Sequence, residues 1–347
     1  MSKRALCVFI VVALFTLVGP LPTAFSQPKF VIKYHDVSPP TKIAGTAPTV
    51  WWMDEVEKQT KGRVKFDRVF GAALGGWADQ LENVRNGVFD MGPILPTYHP
   101  AKTPLSNVAE FPFITNNPAA HAKAMTELCR HPSLMEETKK YNQMFLFGTS
   151  SDPFQVISKV PIKSLKDFKG LSIRAHGIYA TAMERVGAAP AFIASPELFS
   201  ALEKGMVSSA LFAYTITVDY GITDVIKYAT DIGGICIFPY YISMNLDTWN
   251  KLPPDIQKIM RDLADKTPAK TGEIVKVAEK AAVAKMKAKG ITFLDLSKED
   301  KAQLKKVGGV PLWDEWAKEM DGKGLPGTVI KKFFVEKVQK YEKEMKY

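Results

Sequence analysis

Short apolar runs and helical stretches alternate along the first third of the chain. Residues 30–34 form an apolar strand pattern that Ser38-Pro39-Pro40 breaks. Apolar positions over 50–60 recur at helical spacing, and Gly62 ends that helix. Residues 64–70 alternate as a second strand. Leu74-Gly75-Gly76 then opens a helix over 77–86 that stops at Gly87, and 89–95 reads as a third strand. Strand, helix, strand, helix, strand predicts a parallel α/β sheet. The pattern resumes at Phe145, with strands at 154–158, 171–174, 191–193 and 208–213 and helices at 177–186 and 196–204. A longer helical stretch covers 254–289. Residues 331–346 alternate charges with Phe333, Phe334 and Val338, the signature of an amphipathic helix with a solvated lysine face. Two α/β lobes with a long late helix is the simplest assembly. No internal repeat or low-complexity segment is visible.

The N-terminus changes the picture from fold to address. Lys3 and Arg4 precede an almost wholly apolar run, 6–21, broken only by Thr16 and Gly19-Pro20. Ala24 and Ser26 then supply small residues at the −3 and −1 positions of a cleavage site. This is the pattern of a secretory signal peptide over 1–26, cleaved after Ser26. The rival, an uncleaved anchor, needs a longer apolar span. Cys7 lies too early to be a lipoprotein cysteine. The expected product is an exported, periplasmic protein.

Charge and cysteine content exclude several classes. The net charge of +10 comes from lysines dispersed along the 347 residues, without a basic-aromatic stripe, so nucleic acid is not an expected partner. Of 3 cysteines, Cys129 and Cys236 survive cleavage. They can pair in an oxidising compartment, but their separation favours two buried thiols. A disulfide scaffold is excluded by the count.

Catalytic signatures are missing. There is no Gly-x-Ser-x-Gly elbow, no His-Glu-x-x-His and no phosphate-binding Gly-Lys-Ser/Thr loop. The 5 histidines are scattered without ligand spacing, so neither a metal nor a cofactor is expected. His35 and His176 stand out because each follows a strand. Gly75-Gly76 before a helix can offer amides to an anion, or serve as a plain turn. The sharpest candidate is Arg174, set at the end of the short strand Leu171-Ser172-Ile173 after a glycine turn. A guanidinium fixed there has the planar fork that holds a carboxylate bidentately. A surface arginine on an edge strand is the bland alternative.

The order of several elements carries a family resemblance across the mature chain. They are Gly62-Arg63-Val64, Leu74-Gly75-Gly76, Asn86-Gly87-Val88-Phe89-Asp90-Met91 and Glu110-Phe111-Pro112-Phe113. Further on come 164–174, Gly187-Ala188-Ala189-Pro190, 197–205, and 245–253 with Trp249 and Leu252-Pro253. In these the chain resembles the extracytoplasmic solute-binding proteins of TRAP transporters. The resemblance implies a periplasmic-binding-protein type II-like fold, with two α/β lobes closing over a ligand cleft. Lobe I would comprise 27–151 and 238–278, and lobe II 152–237 and 279–347. It also implies a monomer that delivers a small organic acid to TRAP membrane permease subunits driven by an ion gradient.

The same resemblance implies that Arg174 clamps the ligand carboxylate. Two departures bear on the ligand. Phe154 stands where many members carry a second arginine, and Leu211-Phe212 replaces a polar pair. A metal and a multiply charged ligand are both disfavoured. The implied pocket has one fork donor and aromatic walls: Phe154, Phe212 and Tyr214, with Trp52, Tyr98 and Tyr240 either lining it or packed in the core. His35, Gly75, Gly76 and Asn245 complete the candidate set. Such a pocket suits an aromatic or apolar monocarboxylate. Presentation of the ligand to a sensor kinase, or a secreted enzyme on this scaffold, are the alternative functions.

Overall fold

Strand β4, Gln143–Ser158, belongs to two sheets and organises the computed structural model, which describes residues 29–38 and 45–347. The expected signal peptide, 1–26, and the Pro39-Pro40 break lie outside the described residues. The other strands are β1 (Phe30–Asp36), β2 (Val64–Phe70), β3 (Met91–Ile94), β5 (Ser172–Arg174), β6 (Ala189–Ala191), β7 (Ser209–Ala213), β8 (Tyr228–Asp231), β9 (Ile237–Asn245) and β10 (Thr292–Asp295).

In the first sheet β1 runs parallel to β2 and β3, as the alternating pattern predicts. The centre differs from the expected all-parallel sheet. Strand β9 pairs antiparallel with β3 on one side and with the first part of β4 on the other. The register shifts between Ser150 and Pro153, and from Phe154 onward β4 pairs antiparallel with β7 and β8 in the second sheet. There β5 lies parallel between β6 and β7, and β10 runs parallel to β8. Every residue of β9 is buried. A strand buried on both faces shows no polar alternation, so the pattern reading passed over it.

Packing follows the sheets. One face of the first sheet buries Ile32, Trp52, Val56, Phe147 and Met260, and the Trp52 indole donates to the Met260 carbonyl at 3.1 Å. The other face buries Met125, Leu128, Phe145 and Tyr241. Helix Pro118–Leu128 lies on it, started by Asn117, whose side chain accepts from the Ala119 and Ala120 amides. A third cluster surrounds the second sheet through Phe168, Ile173, Leu198 and Leu211.

The late helical stretch divides into Pro254–Ala264 and Thr267–Ala288, the second started by a proline in its first turn. The amphipathic C-terminal helix spans Gly327–Glu344. Its buried stripe of Ile330, Phe334, Val338 and Tyr341 joins the first sheet's core, with the Phe334 ring edge-on to His121 at 5.8 Å. Residues 279–347, expected on lobe II, therefore divide in their packing. Strand β10 completes the second sheet, while the last helix covers the first. Cys129 and Cys236 are separate buried thiols.

Candidate functional site

Arg174 ends strand β5, at the carboxyl end of three parallel strands, where α/β sheets open a crevice. Its side chain is only 1% exposed. Nε donates to the Ile193 carbonyl at 2.9 Å, Nη1 to the Leu211 carbonyl at 3.3 Å and Nη2 to Ser195 Oγ at 3.3 Å. The guanidinium has five N–H donors. These bonds use one on each nitrogen, so each terminal nitrogen keeps one N–H. No carboxylate faces the group among the described residues, and burial pulls its pKa down. A cation buried without an anion is costly, and an incoming carboxylate offsets that cost.

The walls around Arg174 come from both sheets. Phe154, His176, Ser195, Ile216 and Tyr220 stand on its own side. Ser38, Trp77 and Leu95 face them from the first lobe, and β9 contributes Phe238 and Tyr240. The Phe154 and Phe238 rings stack at 5.6 Å and 17°. His176 Nδ1 lies 2.9 Å from Thr97 Oγ1, a contact between elements of the two lobes. Burial, and then the Arg174 charge, hold the His176 pKa well below its usual value, so the ring is neutral. The walls leave about 10 Å³ between them, the room of one water. An organic acid enters only when they part.

The sequence candidates separate into three groups. Arg174, Phe154 and Tyr240 line the cavity. Phe212 lies under Arg174, with the guanidinium carbon 5.2 Å from its ring centroid. Tyr98 packs at the edge, 6.4 Å from Trp77 and 5.9 Å from Phe192.

The others lie elsewhere. Tyr214 packs edge-on against Phe293 of β10 at 5.5 Å, and Trp52 sits in the first core. His35 spends Nε2 on the Gly71 carbonyl and Nδ1 on Gln80. Asn245 accepts from the Asp247 and Thr248 amides, starting helix Leu246–Lys251. The Gly75-Gly76 turn holds no open anion cradle, because the Gly76 amide donates to the Asp79 carboxylate at 2.8 Å and the Gly75 amide to the Ala72 carbonyl.

Ser38, Trp77, Leu95, Ser195, Ile216, Tyr220 and Phe238 were not legible as lining residues. Phe238 and Tyr240 share a face of β9 by period two, a signal usable only once β9 is recognised.

Comparison with known proteins places the chain. Residues 35–319 match the family model described as bacterial extracellular solute-binding protein, family 7. The chain is similar to the C4-dicarboxylate-binding periplasmic protein DctP of Rhodobacter capsulatus, 26% identical over 329 residues that cover 92% of this chain and 96% of that one. A solved TRAP periplasmic solute-binding protein from Desulfovibrio salexigens is 28% identical, with a TM-score of 0.78 over 92% of this chain and 98% of that one. A TRAP solute-binding protein from Rhodoferax ferrireducens T118, in complex with copurified benzoate, shares the fold. Its TM-score is 0.82 at 22% identity, over 90% of this chain and 99% of that one.

Proposed function

Since the chain belongs to the family 7 bacterial extracellular solute-binding proteins, we propose that it captures an organic acid with one carboxylate and an apolar, aromatic body. It delivers this ligand from the periplasm to the membrane permease subunits of a TRAP transporter. The observation that carries the reading is Arg174: a buried guanidinium with no anionic partner among the described residues and one spare N–H on each terminal nitrogen. That count suits a carboxylate held by two parallel bonds. Phe154, Phe238, Trp77 and Tyr240 supply faces for a planar body. They offer no second cation for another carboxylate. The benzoate held by the Rhodoferax ferrireducens protein is a ligand of this kind. No helix among the described residues is long and apolar enough to cross a membrane.

Calorimetry with benzoate on the wild-type and Arg174→Lys proteins tests the clamp. Lysine keeps the charge but loses the fork. The expected loss is about 2 kcal/mol or more. Unchanged affinity in a folded Arg174→Lys protein would remove Arg174 from the site.

A further inference from the structure

A second cavity, of about 570 Å³, lies outside the Arg174 site. Thr97, Asn107 and Glu110 form one wall, the start of helix Gly177–Glu184 another, and helix Val310–Gly322 the third. Its volume is in the range of small-ligand pockets. Glu110 lines it and is only 2% exposed. Glu110 Oε1 accepts the Thr97 N–H at 3.0 Å, and among the described residues no cation or second donor reaches the carboxyl. Oε2 lies beside Gly177, where a Cβ would sit 3.6 Å away. No side chain at residue 177 stands over that oxygen.

The other acids at this cavity are already paired. Arg185 bonds Glu315, and Lys323 bonds Glu319. Glu110 alone lacks a counter-charge. A single bare carboxylate oxygen does not make a metal site, and no group of His, Cys, Asp and Glu among the described residues has metal-holding geometry. It also mismatches a guanidinium fork, which wants two acceptors side by side. A compact ammonium fits it. Ile178, Leu312 and Met320 offer apolar wall for a short stem, and Trp316 lines the same cavity with an aromatic ring.

The geometry points to a second ligand site, separate from the Arg174 cleft, that takes a small primary ammonium compound with its charged head on Glu110 and its apolar stem along Ile178, Leu312 and Trp316. Burial holds the Glu110 carboxyl up to about 8. At neutral pH it is therefore mostly protonated, and binding the ammonium releases that proton to the buffer.

Calorimetry with phenethylamine tests the site, with 2-phenylethanol as the uncharged control. The amine is expected to bind saturably, one per chain, about tenfold or more tighter near pH 8.5 than near pH 6.5, because the carboxylate forms across that interval. The alcohol is expected not to bind. Glu110→Gln keeps the acceptor for the Thr97 amide and is expected to weaken the amine about tenfold or more. Thr181→Lys tethers an ammonium at the cavity wall, leaves Glu110 in place and is expected to block the amine equally. It keeps the test open if Glu110→Gln does not fold. Arg174→Lys is expected to leave amine binding unchanged, which separates this site from the carboxylate cleft. Equal binding of the alcohol, unchanged affinity in either folded variant, or no saturable binding near pH 8.5 overturns the assignment.

Discussion

The Arg174 guanidinium carbon lies 5.2 Å from the Phe212 ring centroid. The two residues sit on strands β5 and β7, which pair in parallel. Carbonyl bonds orient the guanidinium, and the ring shields one of its faces from water. Phe212 therefore positions the charge from below and does not touch the cavity.

Phe212→Leu keeps an apolar side chain but removes the π face. Benzoate affinity is expected to fall by about 0.5–2 kcal/mol. Calorimetry measures it, and an affinity equal to wild type would reduce Phe212 to simple packing.

Selectivity should follow the lack of a second cation among the described residues that line the Arg174 cavity. A dicarboxylate or uronate places extra polar groups against Phe154 and Phe238, where they lose water without gaining a partner. In a thermal-shift panel benzoate and phenylacetate are expected to stabilise the protein more than succinate or glucuronate. The reverse ranking would contradict the aromatic monocarboxylate reading.

Ligand entry requires the walls to part, since they leave about 10 Å³ around Arg174. Thr97 and His176 bond across the cleft. A ligand that touches both lobes favours the closed state and shifts the population toward it. Small-angle scattering is expected to give a smaller radius of gyration with saturating benzoate than without. Identical profiles, with binding confirmed separately, would indicate rigid lobes.

Stability should fall as pH rises from about 6.5 to 8. Burial raises the carboxyl pKa to about 8 at Glu110 and to about 7 at Glu137 and Asp152. In the unfolded chain such groups titrate near 4. Across this interval the folded state holds more protons than the unfolded one, so raising the pH favours unfolding. His99 and His121, which burial lowers to about 4, and His176, held well below its usual value, act in the opposite sense, mainly below about pH 7. The expected loss is on the order of 1–3 kcal/mol, read as a falling Tm by calorimetry. A Tm that climbs through the interval would show that these three groups are already ionised in the folded protein.

What the sequence made legible was local and regularly patterned. The β1 and β2 strands alternate or run apolar between clear breakers, and both were placed to within two residues. Arg174 was legible because a short strand after a glycine turn fixes its position. The long middle strands were not, since β9 is buried throughout and β4 has only two residues that are not fully buried. His35 was chosen by its place after a strand, and Asn245 with the element 245–253 that carries the family resemblance. The structure instead gives them backbone-bonding roles that no spacing reveals. Glu110 stood in a quoted motif, but its lack of a counter-charge appears only when the chain is folded.

One strand that serves two sheets has a consequence for inheritance. Because β4 supplies edges to β9 on one half and to β7 and β8 on the other, no cut in the chain releases a lobe with its core complete. The last helix, anchored on the first sheet after the chain has visited the second, closes the same loop. Recombination that swaps one lobe between relatives would have to exchange several separated segments at once. New specificities in this architecture are accordingly expected to arise by point changes around the Arg174 cavity rather than by shuffling of modules.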